Sequence, residues 1–373
     1  MKALLINTSF HPNIGGVENS FRSISEELSN QGWEVDIIAS DNFKLKSTEY
    51  LFGAKVTRYK QGKLGLGFIN LIKLLKKSNL SSYNLIISRS AVTSLALNLS
   101  NCHKYNFIVP GVYKYQNRSN SNLIEKIKYL IHCQFEKTSF KRSKNIFVFS
   151  HSMKKQISSI VKNKKIELIS PGIDIKRFHK ISVEEKKTLK RKLNLPLEKK
   201  IILCIGRFVK VKNFHTILQA MLLVNNDNIL ILVGSGNELA SYQEFIEFNN
   251  LEDRVYIFDK TLNPESFYSI SDVFCLPSTY EPFGQVLLEA TCSGLPIVAL
   301  DSNIEGVDTA TKSIYEDFPS LVTYVPKNTP ESFAETFNNQ LYLNESKSNS
   351  YVDFSNRHSW NTLILKLEFN HHP

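Results

Sequence analysis

The chain has 373 residues, 42% of them hydrophobic, enough for two domains that each bury a core of their own. No apolar run approaches the roughly 20 residues that span a bilayer, the start MKALLINTSF is too short in apolar residues for a signal peptide, and five cysteines without paired spacing exclude a disulfide framework and a zinc motif. The net charge of +11 is unevenly spread: residues 1–200 hold 36 Lys and Arg against 14 Asp and Glu, and residues 201–373 hold 10 against 21, so the first half either faces an anionic partner or presents a solvated basic face.

ALLIN (3–7) reads as a strand, VENSFRSISEELSNQG (17–32) as a helix ending at Gly32, and EVDIIAS as a second strand, which makes a βαβ unit. A basic amphipathic segment follows at 68–78, then strands at LIIS (85–88) and FIV (107–109), a long helix near 122–143 and a strand at IFVF (146–149). Strands alternating with helices predict a parallel sheet covered on both faces.

The stretch KRFHKISVEEKKTLKRKLNLPLEKK (176–200) has no apolar strand and reads as a connector. A second alternating series then begins with IILCIG, a helix from Asn213, ILILVG, a helix from Glu238, VYIF, a short helix opened by Asn263-Pro264, VFCLP, another helix, IVAL, and LVTYV near 321–325. Cys204 and Cys275 lie inside these strands and read as core. The fold expectation is α/β, with two Rossmann-like, doubly wound parallel-sheet domains facing a central cleft. The expected bounds are 1–178 for the acceptor- or membrane-facing domain, 179–352 for the donor domain, and 353–373 for a helix returning to the first.

Three stretches carry candidate chemistry. In INTSFHPNIGGVE (6–18), Gly15 and Gly16 sit between a strand and a helix; this is not G-x-G-x-x-G, and it either admits a phosphate to the helix amides or makes a plain tight turn. In GRFVKVKN, Arg207 follows a strand directly and Lys212 stands just before a helix, a guanidinium fork and an ammonium suited to a diphosphate. In VFCLPSTYEPFGQVLLEATCS, Glu281 falls in a loop, the amides of Phe283, Gly284 and Gln285 open a helix, and Glu289 sits in its second turn. A carboxylate there suits vicinal ribose hydroxyls. A glycosidase pair, with carboxylates about 5–10 Å apart across one bond, is the rival reading; the spacing does not exclude it, but the neighbouring phosphate-binding features argue against it.

GRFVKVKN, LVGSGNE, SDVFCLPSTYEPFGQVLLEATCSGLPIVA and the early GGVE together resemble the retaining nucleotide-sugar glycosyltransferases of family four, the group 1 glycosyltransferases of GT-B fold. The likeness is strong over 201–306 and weaker over 40–145. It implies that Arg207 and Lys212 bind the donor diphosphate and stabilise the leaving group, and that Gly15 and Gly16 approach the same phosphates from the other domain. Glu281 would contact the donor sugar, Phe283, Gly284 and Gln285 the sugar hydroxyls and phosphate, Glu289 the ribose, and Asp259 and Lys260 the nucleobase. ISPGIDIKRF resembles the family's connector, with Pro171 where asparagine is usual, and a helix near 355–370 would cross back.

The family's histidine after the FIV strand is missing from FIVPGVYKY, and His103 precedes that strand. No D-x-D pair occurs, so metal-independent turnover of a UDP- or GDP-sugar, with no cofactor, is expected. The likeness further implies a lipid-linked saccharide acceptor in surface polysaccharide, lipopolysaccharide or capsule synthesis, with no nucleic acid partner. Lys73, Lys76 and Lys77 would dock the protein, cytoplasmic and peripheral, to the anionic cytosolic face of the inner membrane, or else form the wet edge of an ordinary helix. A nucleotide-sugar epimerase of the same fold and a non-catalytic sugar-nucleotide-binding protein remain as alternatives.

Overall fold

The computed structural model describes residues 1–13, 15–41, 45–62, 65–116, 123–282, 284–341 and 348–369. It has two compact units, Met1–Gly172 together with Trp360–Pro373, and Ile173–Ser359. It is α/β throughout, with two mostly parallel sheets.

The first unit contains β1 (Lys2–Ile6), β2 (Glu34–Asp41), β3 (Thr48–Leu51), β4 (Ala54–Lys60), β5 (Leu85–Ser88), β6 (Asn106–Ile108), β7 (Asn145–Val148) and β8 (Ile166–Leu168), in the order β3-β4-β2-β1-β5-β6-β7-β8. All neighbours are parallel except the β3–β4 hairpin. That hairpin turns through Phe52 (φ 53°) and Gly53 (φ 76°), both left-handed as a tight primed turn requires. Phenylalanine is a rare occupant of that conformation, which is why the turn leaves no signal in the sequence.

The second unit contains β9 (Lys200–Ile205), β10 (Asn228–Val233), β11 (Val255–Phe258), β12 (Val273–Leu276), β13 (Tyr280–Glu281), β14 (Ile297–Leu300), β15 (Asp308–Thr309) and β16 (Val322–Val325). Six form a parallel sheet in the order β11-β10-β9-β12-β14-β16, while β13 and β15 pair by themselves. Successive side chains of a strand point to opposite faces. Ile201, Leu203, Ile229, Ile231 and Phe274 accordingly enter one core, and Ile202, Cys204, Leu230, Leu232 and Cys275 the other. Helices on both faces make such strands continuously apolar. From β9 the chain winds outward to β10 and β11, then returns to β12 on the other side of β9. The crevice at such a switch point, at the carboxyl ends of the strands, is where open α/β sheets bind ligands.

Three expectations are corrected. The connector 176–200 contains a helix, Val183–Lys192, opened by a capping box between Ser182 and Glu185. Two of its lysines are structural: Lys190 is buried, with Nζ on the carbonyls of Leu197 (3.1 Å) and Lys199 (2.8 Å), and Lys186 Nζ reaches Asp272 Oδ1 at 2.8 Å. The closing helix is two, Ser348–Arg357 and Trp360–Phe369, broken where the His358 carbonyl accepts from Ile173 N at 2.7 Å.

The unit boundaries also lie elsewhere, at 172/173 in place of 178/179 and at 359/360 in place of 352/353. Arg177 and Phe178 are held by Glu265 and Tyr268 of the second unit. Phe354 stacks on Tyr315 (5.5 Å), and Ser355 Oγ bonds Cys292 Sγ at 3.2 Å, so Ser348–Arg357 belongs there too. Trp360–Phe369 belongs to the first unit, where Leu367 O accepts from Asn106 Nδ2 (3.1 Å), Lys366 Nζ bonds Leu168 O (2.8 Å) and Asn361 meets Gln31 (3.1 Å).

Candidate active site

The turn after β9 is fixed on both sides of Arg207. Gly206 N bonds Val233 O (3.0 Å), Phe208 N bonds Ser235 O (2.9 Å), and the buried Phe208 ring packs against Phe214 (5.9 Å) and Tyr242 (5.4 Å). Gly234, at φ +155°, lets the backbones close: a Cβ there would lie 1.9 Å from Gly206 O. Arg207 itself is exposed, and among the described residues its guanidinium has no hydrogen bond or ion pair.

The same turn continues into a short 3₁₀ helix, Lys210–Lys212, and then Asn213 at φ 57°. Thr279 N bonds Val211 O (2.9 Å) and Asn213 Nδ2 bonds Pro277 O (3.2 Å), which brings Lys212 to the segment leaving β12. There the structure corrects the expectation that Glu281 lies in an irregular loop. It ends the two-residue strand β13, paired with Thr309 of β15, and its carbonyl accepts from Ala310 N at 2.7 Å. Lys212 Nζ forms an ion pair with Glu281 Oε2, both side chains being 13% exposed. The lysine stem lies over Gly206, where a Cβ would meet Lys212 Cε at 3.4 Å.

Gly284 N donates to Glu281 Oε1 at 3.5 Å and precedes the helix Gln285–Cys292. Gln285 is the first helical residue, partly buried, while Phe283 lies outside the described residues. Leu287, Leu288 and Ala290 anchor the helix in the core. Arg207, Lys212, Glu281 and the helix start thus share the β9/β12 switch point.

Glu289 stands in the second turn of that helix, and its Oε2 accepts the Tyr268 hydroxyl at 2.7 Å. Tyr268 belongs to the helix Glu265–Ile270, is fully buried, and meets Phe178 edge-on at 5.7 Å. Arg177 binds Glu265 Oε2 through Nε (3.0 Å) and Nη2 (2.8 Å), and also the Leu262 carbonyl. Burial pushes the Glu289 carboxyl up to about 7; the Tyr268 hydrogen bond and the Arg177 charge oppose that rise, and Glu265 adds to it. Asp259 and Lys260 are exposed after β11, with Asp259 Oδ1 accepting from Lys260 N at 2.7 Å. Tyr268, Arg177 and Glu265 are absent from the sequence-derived candidates. Only the likeness of the connector around Arg177 pointed toward them.

In the first unit, Gly15 caps the helix Gly16–Asn30 in an extended conformation, and a Cβ on Gly15 would lie 2.6 Å from Glu18 Oε2, so the Glu18 carboxylate lies close to that helix start. Lys73, Lys76 and Lys77 are exposed on the helix Leu66–Lys77, whose Leu71 and Leu75 are buried. Beyond β6, where a histidine is missing, the buried Glu136 accepts from Tyr113 N at 2.8 Å and is pushed up to about 7 by burial. His103 lies elsewhere, within reach of Asn98 Oδ1 (3.2 Å).

Residues 185–353 match the family model of the glycosyl transferases group 1, and residues 14–177 match that of glycosyltransferase family 4. An uncharacterized glycosyltransferase of Methanocaldococcus jannaschii is 25% identical, over 97% of this chain and 96% of that one. Anabaena HepE, solved with UDP and glucose, has the same fold, with a TM-score of 0.76, 17% identity and 99% of each chain covered. WaaG, a glycosyltransferase of lipopolysaccharide biosynthesis, has a TM-score of 0.74 and 13% identity over the full length of both chains.

Proposed function

The chain belongs to the group 1 glycosyltransferases of GT-B fold, and from that premise we propose that it moves a hexose or N-acetylhexosamine, with retention and without a metal, from a UDP- or GDP-sugar to a lipid-linked saccharide of a bacterial surface glycan. The reading is carried by one arrangement: Lys212 and Glu281 paired beside a helix start, with an exposed Arg207 on the rigid turn next to them. Breaking the bond from the anomeric carbon to a diphosphate leaves negative charge on phosphate and positive character on the ring. Arg207 and Lys212 stabilise the first, and Glu281, released from part of its pairing as the phosphate engages Lys212, faces the second. The amides that open Gln285–Cys292 bind phosphate or sugar oxygens. Glu289 accepts from the ribose hydroxyls, and Asp259 with Lys260 borders the base. Lys73, Lys76 and Lys77 give the protein a peripheral seat on anionic lipid at the cytosolic face of the inner membrane, where such acceptors lie.

Incubation with a panel of nucleotide sugars, followed as slow donor hydrolysis, tests this reading. One donor is expected to be consumed by the wild type and spared by Glu281→Ala. No hydrolysis of any donor, or equal hydrolysis by the variant, would defeat the assignment. Proton NMR of the first-formed glycoside reads the anomeric outcome, and an inverted product would overturn retention.

A further inference from the structure

The helix Leu123–Arg142 turns apolar side chains to water. Its buried side is set by Glu136, Ser139 and Phe140, and half a turn away Ile127, Leu130 and Ile131 are 51%, 65% and 52% exposed. Their spacing of i, i+3, i+4 is a helical stripe, placed where an ordinary surface helix is polar. Lys126 and Lys137 border the stripe on one side and Lys128 on the other, all exposed. The adjoining helix Leu66–Lys77, touching through Phe68 and Phe135 at 5.4 Å, adds Leu66 (54% exposed), Ile69 (47%) and the three lysines already named.

The charge of the surroundings selects the occupant. From Glu49 to Glu125 the sequence has eleven Lys and Arg, of which Arg58 and Arg89 are buried, and no Asp or Glu between them. A stretch without acids repels cationic partners and attracts phosphate-bearing ones, and an apolar stripe between rows of lysine fits the boundary of acyl chains and anionic headgroups. We propose that Ile127, Leu130 and Ile131 insert into the headgroup boundary of an anionic bilayer, with Lys126, Lys128 and Lys137 on the lipid phosphates. The lysines of Leu66–Lys77 then attract, and the stripe of the longer helix holds. This deepens the lipid-side reading above and rests on it, while standing apart from the donor site.

Flotation of the full chain with phosphatidylglycerol-containing vesicles and with pure phosphatidylcholine vesicles tests it. The wild type is expected to float with the first at least tenfold better than with the second. The variant I127S/L130S/I131S should lose at least tenfold in recovery at unchanged circular dichroism, because these side chains are exposed. K126Q/K128Q/K137Q should lose the preference for anionic lipid and its salt sensitivity. Equal recovery of wild type and triple serine variant, or equal recovery on both vesicle types, would overturn the proposal. So would a wild-type dimer in solution that the serine variant abolishes without any vesicle binding. Donor hydrolysis is read on the same samples: hydrolysis without flotation sinks the docking alone, and flotation without hydrolysis sinks the donor reading alone.

Discussion

Tyr268→Phe removes one hydroxyl and leaves the packing, since the ring lies buried between Phe178 (5.7 Å) and Phe274 (5.6 Å). What it removes is a donor to Glu289 at 2.7 Å, and a hydrogen bond to an ionised group is worth about 1.5–3 kcal/mol. At about 1.36 kcal/mol for each pH unit, the carboxyl should then titrate about one to two units higher. The direction is upward because the hydroxyl favours the charged form, as Arg177 does, while burial and Glu265 disfavour it. From about 7 in the wild type, the midpoint moves above 8 in the variant.

Only the ionised carboxylate offers four lone-pair sites to a ribose, so the donor KM carries this titration. In the wild type KM should rise about tenfold between pH 8 and pH 6. At pH 7.5 the variant's KM should exceed the wild type's by about threefold for a one-unit rise and about twenty-five-fold for a two-unit rise, and the two should converge above pH 10. The turnover number should stay, because Glu289 does not touch the breaking bond. The assay is donor hydrolysis at a series of concentrations from pH 5.5 to 10. Coincident midpoints, or an effect confined to kcat, would refute the reasoning.

Arg207→Ala should lose about 2–4 kcal/mol of transition-state stabilisation, on the order of a hundredfold in kcat, and a variant within about threefold of wild type removes Arg207 from the mechanism. EDTA should leave transfer unchanged; abolition by EDTA with recovery on manganese would put a metal in the reaction. Glu289→Gln should weaken donor binding yet raise Tm at pH 8. The folded carboxyl titrates near 7 against about 4.5 when unfolded, so its burial costs stability progressively as pH rises through that window and fully above it, by about 1–3 kcal/mol. No Tm gain should appear at pH 4, and an equal gain at both pH values would contradict the charge account. Gly234→Ala drives a methyl to within 1.9 Å of Gly206 O, and a Tm drop of at least about 4 °C by calorimetry is expected; an unshifted Tm would show that the turn can yield.

The sheets were legible because strands such as IILCI and ILILV are buried on both faces and read as unbroken apolar runs. The common place of Arg207, Lys212 and Glu281 was legible because all three lie on the segments that leave two such strands, β9 and β12, and a parallel sheet collects strand ends at one edge. What stayed hidden was decided by tertiary contacts. Tyr268 looks like one more aromatic of a short helix until the fold sets it against Glu289. Lys186 and Lys190 of Val183–Lys192 look like part of a solvated run until carbonyls receive them. The stripe on Leu123–Arg142 escaped for a different reason: a helix that buries Glu136 and Ser139 beside Phe140 and turns isoleucine and leucine outward has no single periodic signature, and only exposure tells the inner face from the outer.

The helix Trp360–Phe369 ties off the first unit after the whole second unit has been made. During synthesis the second unit, one uninterrupted stretch from Ile173 to Ser359, has all its strands in hand before the first unit receives its last helix. Until then the Asn106 Nδ2 and the carbonyl of Leu168 lack the partners that this helix brings them. The unit whose strands emerge earlier is therefore completed later, and loss of the helix Trp360–Phe369 would fall on that unit and not on the one beside it in sequence.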